Sequence, residues 1–431
     1  MNSQKTSEGN VKIIVGTQYQ NEGKGKLTHL VSKHAYMVIR GQVGNNTGST
    51  VVTGSRKFDL QILPSAIMRP RIISVIGPEA LIDLEVLVNE IKALWEEGIV
   101  ITPYNLIISD KAVIRMINHK TASMKASEVY KTEIRMKDLF KSNEELLQRI
   151  EKNSYEEVKN ETKFNGCSPS EECEYLNLYK EYLLPFIQDT QPIISKAIVD
   201  GKSIVIEGAE SFWLNHGHEK YSTNSSASRI AAATGIGPCH ITEVIGVMKA
   251  YASYIEEGPF ITEMSKKNGD LIRKLGNEYE RQSKKPRKCG WLDLVMVKSA
   301  KIPNGLTSLG INHIDTIGKL DEVKVCIGYR YNGKEIDYVP ADLENCKPIY
   351  KKFEGGWDIT NSKTCEKYSY KTSYKSIVEE IKSGGWNTRR YKTFEDLPKK
   401  VQEYISFIEE YVGLPVKYIG IGVGEKNTII R

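Results

Sequence analysis

The stretch from Lys12 to Thr50 constrains this chain most. An apolar run, Val11-Lys12-Ile13-Ile14-Val15, has the length and β-branched content of a buried strand. It passes directly into Gly16-Thr17-Gln18-Tyr19-Gln20-Asn21-Glu22-Gly23-Lys24-Gly25-Lys26. That order reads as strand, loop and helix start. Glycines let the backbone approach an oxyanion, amides at the helix start point at it, and lysines neutralise it, so the stretch describes a phosphate cradle. A second run, Tyr36 to Ile39, leads to Gly41-Gln42-Val43-Gly44-Asn45-Asn46-Thr47-Gly48-Ser49-Thr50, a second loop rich in glycine and amides. Two such loops after two early strands imply one polyphosphate held from both sides. A Walker A motif is excluded, because the spacing from Gly16 to Gly23 is too long and Gly25 follows Lys24 where Ser or Thr belongs.

The 431 residues suffice for one large α/β domain or two ordinary ones, and an apolar content of 40% supports a proper core. A net charge of +6 is mild and spread out, which suits anionic small substrates without requiring nucleic acid. Seven cysteines (Cys167, Cys173, Cys239, Cys289, Cys326, Cys346, Cys365) form no Cys-x-x-Cys pair, and the seven histidines form no His-Glu-x-x-His spacing. Reduced structural thiols and no zinc are expected. Met1 to Asn10 lacks the apolar core of a signal peptide, and no uncharged apolar run approaches the ~18 residues of a spanning helix. The expectation is a soluble cytoplasmic protein with no membrane and no nucleic-acid partner.

Along the chain, short apolar strands at Val11 to Val15, Met37 to Ile39, Ile72 to Ile76 and Leu106 to Ser109 alternate with helical patterns such as Ile82 to Glu97. This alternation argues an α/β fold, a large central mostly parallel sheet flanked by helices, with helical and loop insertions. From Lys137 to about Lys196 the chain is charged and helical in period, with helix starts expected at Ser154-Tyr-Glu-Glu and Ser168-Pro-Ser-Glu-Glu; the segment 137–200 reads as a helical insertion or lid. Ile204 to Ile206 is a further strand, followed by a long polar loop from Asn215 to Pro238 of the kind that lines a site. More strands are expected at Ile241 to Val247, Ser308 to Ile314, Val323 to Tyr329 and Val416 to Ile421, and a last helix at Val401 to Tyr411. With no repeat and no low-complexity linker, residues 1–431 read as one domain.

The two loops resemble the signature loops of the adenylosuccinate synthetase family, Gly-Asp-Glu-Gly-Lys-Gly-Lys and Gly-Asn-Asn-Ala-Gly-His-Thr. The similarity continues in order through Leu63-Pro64-Ser65, Glu207-Gly208-Ala209, His216-Gly217, Thr234-Gly235-Ile236-Gly237-Pro238, Gly258 to Glu263, Gly276-Asn277-Glu278-Tyr279, Pro286 to Asp293, Pro348-Ile349-Tyr350 and Gly356-Trp357. It is weakest at Asn118 to Ile134, where the family's Gly-Thr-Thr-Gly-Arg-Gly loop is shortened to Thr121-Ala122-Ser123-Met124-Lys125.

The resemblance implies a ligase. The γ-phosphate of a nucleoside triphosphate moves to O6 of inosinate, and the amino group of aspartate displaces it, with Mg²⁺ as cofactor and a homodimer as the working unit. Chemically this requires neutralising the migrating phosphoryl group and removing the purine N1 proton. By position, Lys24 is the phosphoryl clamp, and Asn21, Lys24 and Ser49 occupy the catalytic positions. The triphosphate falls to Glu22, Gly23, Lys24, Gly25, Lys26, Gly48, Ser49 and Thr50, and the donor base to His313, Asp315, Gly420 and Gly422. The purine monophosphate falls to Asn21, Asn46, Ser123, Glu210 and Thr223. Ser283, Lys285 and Arg287 match the loop for the aspartate carboxylates, where Arg287 can grip with two parallel bonds. The Asn21 oxygen and the Gly48 carbonyl match the Mg²⁺ ligands.

Three departures matter. Asn21 stands where the family has its general-base aspartate, and an amide takes no proton at neutral pH. Ser49 replaces a histidine that stabilises the phosphoryl group, and Glu210 replaces a glutamine on the nucleotide. The missing aspartate and the shortened central loop favour the viral branch that joins dGMP to aspartate for diaminopurine DNA, which would place the protein in a host cytoplasm. Alternatives are an ordinary adenylosuccinate synthetase using IMP with a displaced base, and a catalytically silent nucleotide-binding paralogue. For the donor, Asp315 in Asn312-His313-Ile314-Asp315 keeps the guanine-selecting aspartate of the family's Thr-Lys-Leu-Asp tetrad and speaks for GTP. His313, in place of its lysine, and Gly420, in place of a serine, speak for ATP.

Overall fold

Val11–Gly16 forms strand β1, and its side chains are covered on both faces. Val11, Ile13 and Val15 pack with Ile204, Ile206, Ile230 and Ile236, whereas Ile14 packs with Leu27, Val38, Val205 and Ile245. A strand apolar on both faces belongs in the middle of a parallel sheet. The computed structural model describes residues 10–42, 48–53, 56–121, 129, 134–159, 167–215, 225–255, 258–280, 283–357, 359 and 391–431.

Around β1 stand β2 (Met37–Arg40), β3 (Ile73–Ile76), β4 (Leu106–Ser109), β5 (Ile187–Gln188), β6 (Ile204–Ser211), β7 (Ile241–Lys249), β8 (Ser308–Asn312), β9 (Val416–Gly420) and β10 (Thr428–Ile430). Their order in the sheet is β10-β9-β8-β7-β1-β6-β2-β3-β4-β5, and every neighbouring pair is parallel except β9 with β10. The chain first steps outward from β2 to β5, returns to insert β6 beside β1, then builds the other side from β7. The order therefore reverses at β1, and a crevice at the C-terminal ends of the central strands follows. The expected α/β class and mostly parallel sheet are those observed.

Helix α1 (Lys24–Val31) follows β1 after the Gly16–Gly23 loop. Gly23 caps it at φ 86, a conformation open to glycine, and among the described residues no side chain caps its first amides. Free amides at a helix start are the groups an anion uses. Beyond β7 the chain crosses at buried Ala250 into a second sheet of Tyr251–Tyr254, Lys288–Asp293, Glu322–Tyr331, Lys334–Ile336 and Lys347–Glu354. That crossover brings residues just ahead of Lys288 back toward the phosphate loop.

Several boundaries differ from expectation for local reasons. Ser154 lies inside the helix Asn143–Lys159, because the same Ser-x-x-Glu pattern occurs earlier and caps there: Glu145 N donates to Ser142 Oγ at 3.2 Å and Ser142 N to Glu145 Oε2 at 3.0 Å. Ser168 does start the helix Pro169–Leu183, with Glu171 completing its capping box. Leu146, Ile150, Tyr175 and Leu176 of these two helices join Leu87 and Ile91 in one core cluster, so this part of segment 137–200 is packed into the body rather than lying over it. The polar loop expected through Pro238 is helical over Ala227–Ala232, where Ser226 caps. Ile314 opens a short helix instead of ending β8, because His313 turns the chain at φ 63. Among the described residues no helix is long and apolar enough to cross a membrane.

Candidate active site

At the end of β1 the phosphate loop closes around one carboxylate. Glu22 is fully buried and accepts from Gln18 N at 3.2 Å, Lys24 Nζ at 2.9 Å and Ser211 Oγ at 2.8 Å. Lys24 Nζ also donates to Ser211 Oγ at 3.1 Å. Burial pushes the Glu22 carboxyl up, but the Lys24 ammonium and the Ser211 hydroxyl outweigh it and hold the group below its ordinary range. A carboxylate so held orients the lysine at the mouth of the loop. A Cβ on Gly16 would stand 2.6 Å from Ser211 Oγ and 2.7 Å from the Glu22 oxygens, so the cluster itself demands that glycine.

Asn21, at φ 60 and exposed, presents its amide to solvent beside the clamp. Asparagine tolerates that left-handed turn better than most residues. Ser49 is buried, and a Cβ on Gly25 would meet its Cβ at 2.7 Å. The expectation gave the Ser49 hydroxyl to a transferring phosphoryl group; in this structure it donates to Glu207 Oε1 at 2.9 Å. Glu207 also accepts from Ser65 N at 2.8 Å and Ser65 Oγ at 2.6 Å. Thr50 Oγ1 turns to Asp59 Oδ1 at 2.6 Å on the hairpin of Ser49–Thr53 with Arg56–Leu60, and Gly48 precedes that hairpin with its backbone exposed.

The residues expected to hold the donor come together where α1, β8 and β9 converge. Lys26 Nζ donates to Gly422 O at 2.8 Å and to Asn312 Oδ1 at 3.4 Å, while Asn312 Nδ2 donates to Glu22 O at 2.8 Å. Burial lowers the Lys26 ammonium to about 8, with Asp315 pulling the other way. Burial in turn raises the Asp315 carboxyl, opposed by Lys26. Gly420 is a packing requirement, since a Cβ there would sit 2.3 Å from Asn312 Oδ1. His313 meets Tyr251 edge to face, with ring centres 5.4 Å apart, and burial next to Lys249 lowers it to about 4, so it is neutral at pH 7. Behind it, buried Lys249 pairs with Glu278 at 2.5 Å, and Tyr251 OH donates to Glu278 at 2.8 Å. Gln18 ties this pair to the loop, accepting from Lys249 N at 3.0 Å and donating to the carbonyls of Lys249 and Tyr251.

Of the three residues expected to hold aspartate, the fold brings one inward. Arg287 is buried, its Nη1 donates to Gln20 Oε1 on the phosphate loop at 3.3 Å, and its Nε has no hydrogen-bond partner among the described residues. A guanidinium with an unmet donor beside an anion-binding loop is set up for a carboxylate. Ser283 and Lys285 stay on the exposed turn, where Ser283 Oγ donates to Glu280 and accepts from Lys285 N at 3.1 Å. Glu210 is half-buried at the end of β6 with Ser225 Oγ 3.4 Å from Oε2. Asn46, Ser123 and Thr223 lie outside the described residues.

Residues that the motif reading missed hold the site together: Ser211, Gln18, Gln20, Asn312 and the Lys249–Glu278 pair. A signal existed for some of them. Gln18 and Gln20 lie in the first loop, Glu278 and Asn312 in stretches already noted, and Lys249 is a charge closing the apolar run Val244 to Met248.

A family model described as adenylosuccinate synthetase matches residues 13–382 and 366–429. The adenylosuccinate synthetase of Acetivibrio thermocellus is 37% identical over 453 residues, covering 97% of this chain and 99% of its own. A Clostridium botulinum adenylosuccinate synthetase is 34% identical over 450 residues, covering 97% and 98%. Among solved structures, the fully ligated adenylosuccinate synthetase from Plasmodium falciparum superposes with a TM-score of 0.82 at 25% identity, covering 98% of this chain and 100% of that one. The cyanophage S-2L succinoaminodeoxyadenylate synthetase bound to dGMP and dATP aligns with a TM-score of 0.57 at 14% identity, covering 98% and 95%, a likeness that speaks to fold alone.

Proposed function

The chain belongs to the adenylosuccinate synthetase family, carbon–nitrogen ligases that join aspartate to a purine nucleotide, and on that premise we propose that its substrates are inosine monophosphate, aspartate and GTP. One observation carries the reading: Arg287, with its unmet Nε, meets Gln20 on the same loop whose Lys24 is clamped by Glu22 and Ser211. A carboxylate on Arg287 and a phosphoryl group on Lys24 then share one crevice. The relatives at 34–37% identity over 97% of the chain support inosine monophosphate over dGMP, and Asp315 supports guanine in the donor.

In the first step the free amides of α1 and Lys24 take the charge of the triphosphate, and loss of the N1 proton makes O6 the nucleophile toward the γ-phosphorus. In the second, Arg287 holds a carboxylate of aspartate while its amine displaces phosphate from C6. Among the described residues no three His, Cys, Asp or Glu side chains converge on a metal site. The Asn21 amide oxygen, exposed beside the Lys24 clamp, and the Gly48 carbonyl, exposed ahead of the hairpin, would hold a Mg²⁺ ion. When bound, the ion neutralises charge on the migrating phosphoryl group. A homodimer is part of the proposal, measured by light scattering in solution.

A second reading, dGMP as acceptor with ATP as donor, is favoured by Asn21 in place of an aspartate. The test is aspartate-dependent phosphate release with Mg²⁺, offering inosine monophosphate or dGMP against GTP or ATP. Release with inosine monophosphate is expected. Release with dGMP alone moves the protein to the second reading, and binding without release under every pairing refutes both.

A further inference from the structure

A buried ion pair lies behind the crevice, and neither step of the reaction uses it. Lys249 and Glu278 are 0% and 2% exposed. Their 2.5 Å pairing is joined by Ser253 Oγ, which accepts from Lys249 Nζ at 2.6 Å, and by Tyr251 OH, which donates to Glu278 Oε1 at 2.8 Å. The other carboxylate oxygen, Oε2, is buried and has no hydrogen-bond partner among the described residues. Two charges withdrawn from water gain little over an apolar pair of the same size. What this pair supplies is a fixed relation between the segments that carry it.

Those segments reach both substrate sides. Glu278 follows the helix Lys266–Gly276 and opens a hairpin that ends at Arg287. Arg287 N donates to Glu278 O at 3.0 Å, Glu280 N donates to Lys285 O at 2.8 Å, and Tyr279 bridges to Pro286. Arg273 Nε donates to Arg287 O at 2.7 Å and Glu278 N to Arg273 O at 2.9 Å, so residues 273, 278 and 287 form one hydrogen-bonded base. A carboxylate anchored at residue 278 therefore fixes where the Arg287 backbone stands, and with it the guanidinium that meets Gln20. In the other direction the Tyr251 ring, held by its hydroxyl on Glu278, takes His313 edge to face with ring centres 5.4 Å apart. His313 makes the φ 63 turn into the short helix that carries Asp315. Lys249 closes the circuit. Its backbone N and O are held by Gln18, which stands two residues before Gln20 and whose own N donates to Glu22.

We propose that Glu278 is a positioning residue serving two substrates at once: it sets Arg287 for the carboxylate of aspartate through its backbone, and the turn at His313 for the donor base through Tyr251. The assignment rests on the ligase reading above. Loss of the Glu278 charge frees the hairpin base and the tyrosine together. Loss of the tyrosine hydroxyl frees the donor turn and leaves Lys249, Glu278 and Arg287 as they are. The two effects are therefore separable by substitution.

The test measures KM for aspartate and for GTP by phosphate release in wild type, Glu278→Gln, Tyr251→Phe and Lys249→Met/Glu278→Gln, each checked for folding by circular dichroism. Glu278→Gln is expected to raise both KM values by about 2–30-fold. Tyr251→Phe is expected to raise the KM for GTP alone. The double variant leaves no buried charge unpaired, so it folds even where Glu278→Gln does not, and it is expected to keep both KM values high. A general folding defect would lower the active fraction, and so kcat, without splitting the two KM values. A double variant in which either KM stays at the wild-type value overturns the assignment and leaves the ligase reading standing. So does Tyr251→Phe if it raises the aspartate KM as much as that of GTP, or raises neither. Wild type that binds nucleotide yet releases no phosphate overturns both.

Discussion

Gly420→Ser tests how the donor side is assembled. A Cβ at Gly420 would stand 2.3 Å from Asn312 Oδ1 and 2.9 Å from Lys26 Nζ. Asn312 has no room to retreat, because its Nδ2 donates to Glu22 O at 2.8 Å and a Cβ on Gly23 would meet that same nitrogen at 2.7 Å. One amide thus fills the gap between two glycines and joins the phosphate loop to the last parallel strand. Overpacking here costs about 1–3 kcal/mol, and driving the amide off the Glu22 carbonyl costs about 1 kcal/mol more. The expected loss of about 2–4 kcal/mol lowers Tm by about 2–4 °C in a chain of this length. Asn312→Thr removes the clashing oxygen, and the pair Thr with Ser is the one the family usually carries. In a double-mutant cycle by denaturant unfolding, Asn312→Thr/Gly420→Ser is expected to lose less than the sum of its parts, by about 1 kcal/mol or more. The KM for the donor is a second readout, since Lys26 leans on Asn312 and Gly422. Wild-type stability in Gly420→Ser, or strict additivity in the cycle, would refute the reasoning.

The remaining predictions concern charge. With Lys26 lowered to about 8, the unliganded protein loses this ammonium as pH rises through 8, so the donor KM is expected to climb above that pH. Lys26→Arg, which stays charged, flattens the rise. The same lowering has a stability sign: the buried charge opposes folding below about pH 8, and that penalty fades between about 8 and 10.5, visible as unfolding free energy rising relative to Lys26→Met. Lys249→Met leaves Glu278 buried without its ammonium and is expected to lose about 3–5 kcal/mol in denaturant unfolding. Burial raises the Glu278 carboxyl, but Lys249 and its other neighbours bring it down to about 2, so the pair's contribution is complete above pH 4.5 and lost as pH falls through 2. Arg287→Lys, which gives up the planar fork, is expected to raise the aspartate KM while sparing that of the triphosphate; an unchanged aspartate KM would remove Arg287 from the carboxylate site.

What the sequence made legible was what local chemistry repeats. Alternation of apolar strands with helical periods pointed to the parallel sheet because a strand buried on both faces must be apolar throughout, and the Ser168-Pro-Ser-Glu capping pattern marked a helix start because all its atoms lie within one turn. The same pattern misled at Ser154, where Ser142 had already supplied the cap. The loop glycines were legible as a phosphate cradle, but the contacts that shape it were not, since Ser211 lies 189 residues from Glu22 and Asn312 lies 290. Such partners leave no spacing to read. Substitutions seen singly say little about packing: Gly420 entered the sequence reading only as a sign for ATP, whereas in the fold it is the space into which Asn312 extends. Ser49 invited comparison with the histidine it replaces, yet its hydroxyl completes the Glu207–Ser65 lock. Departures from a family pattern therefore carry meaning in the pairs that touch or share a site. Asn312 with Gly420 is such a pair by contact, each filling the space the other leaves.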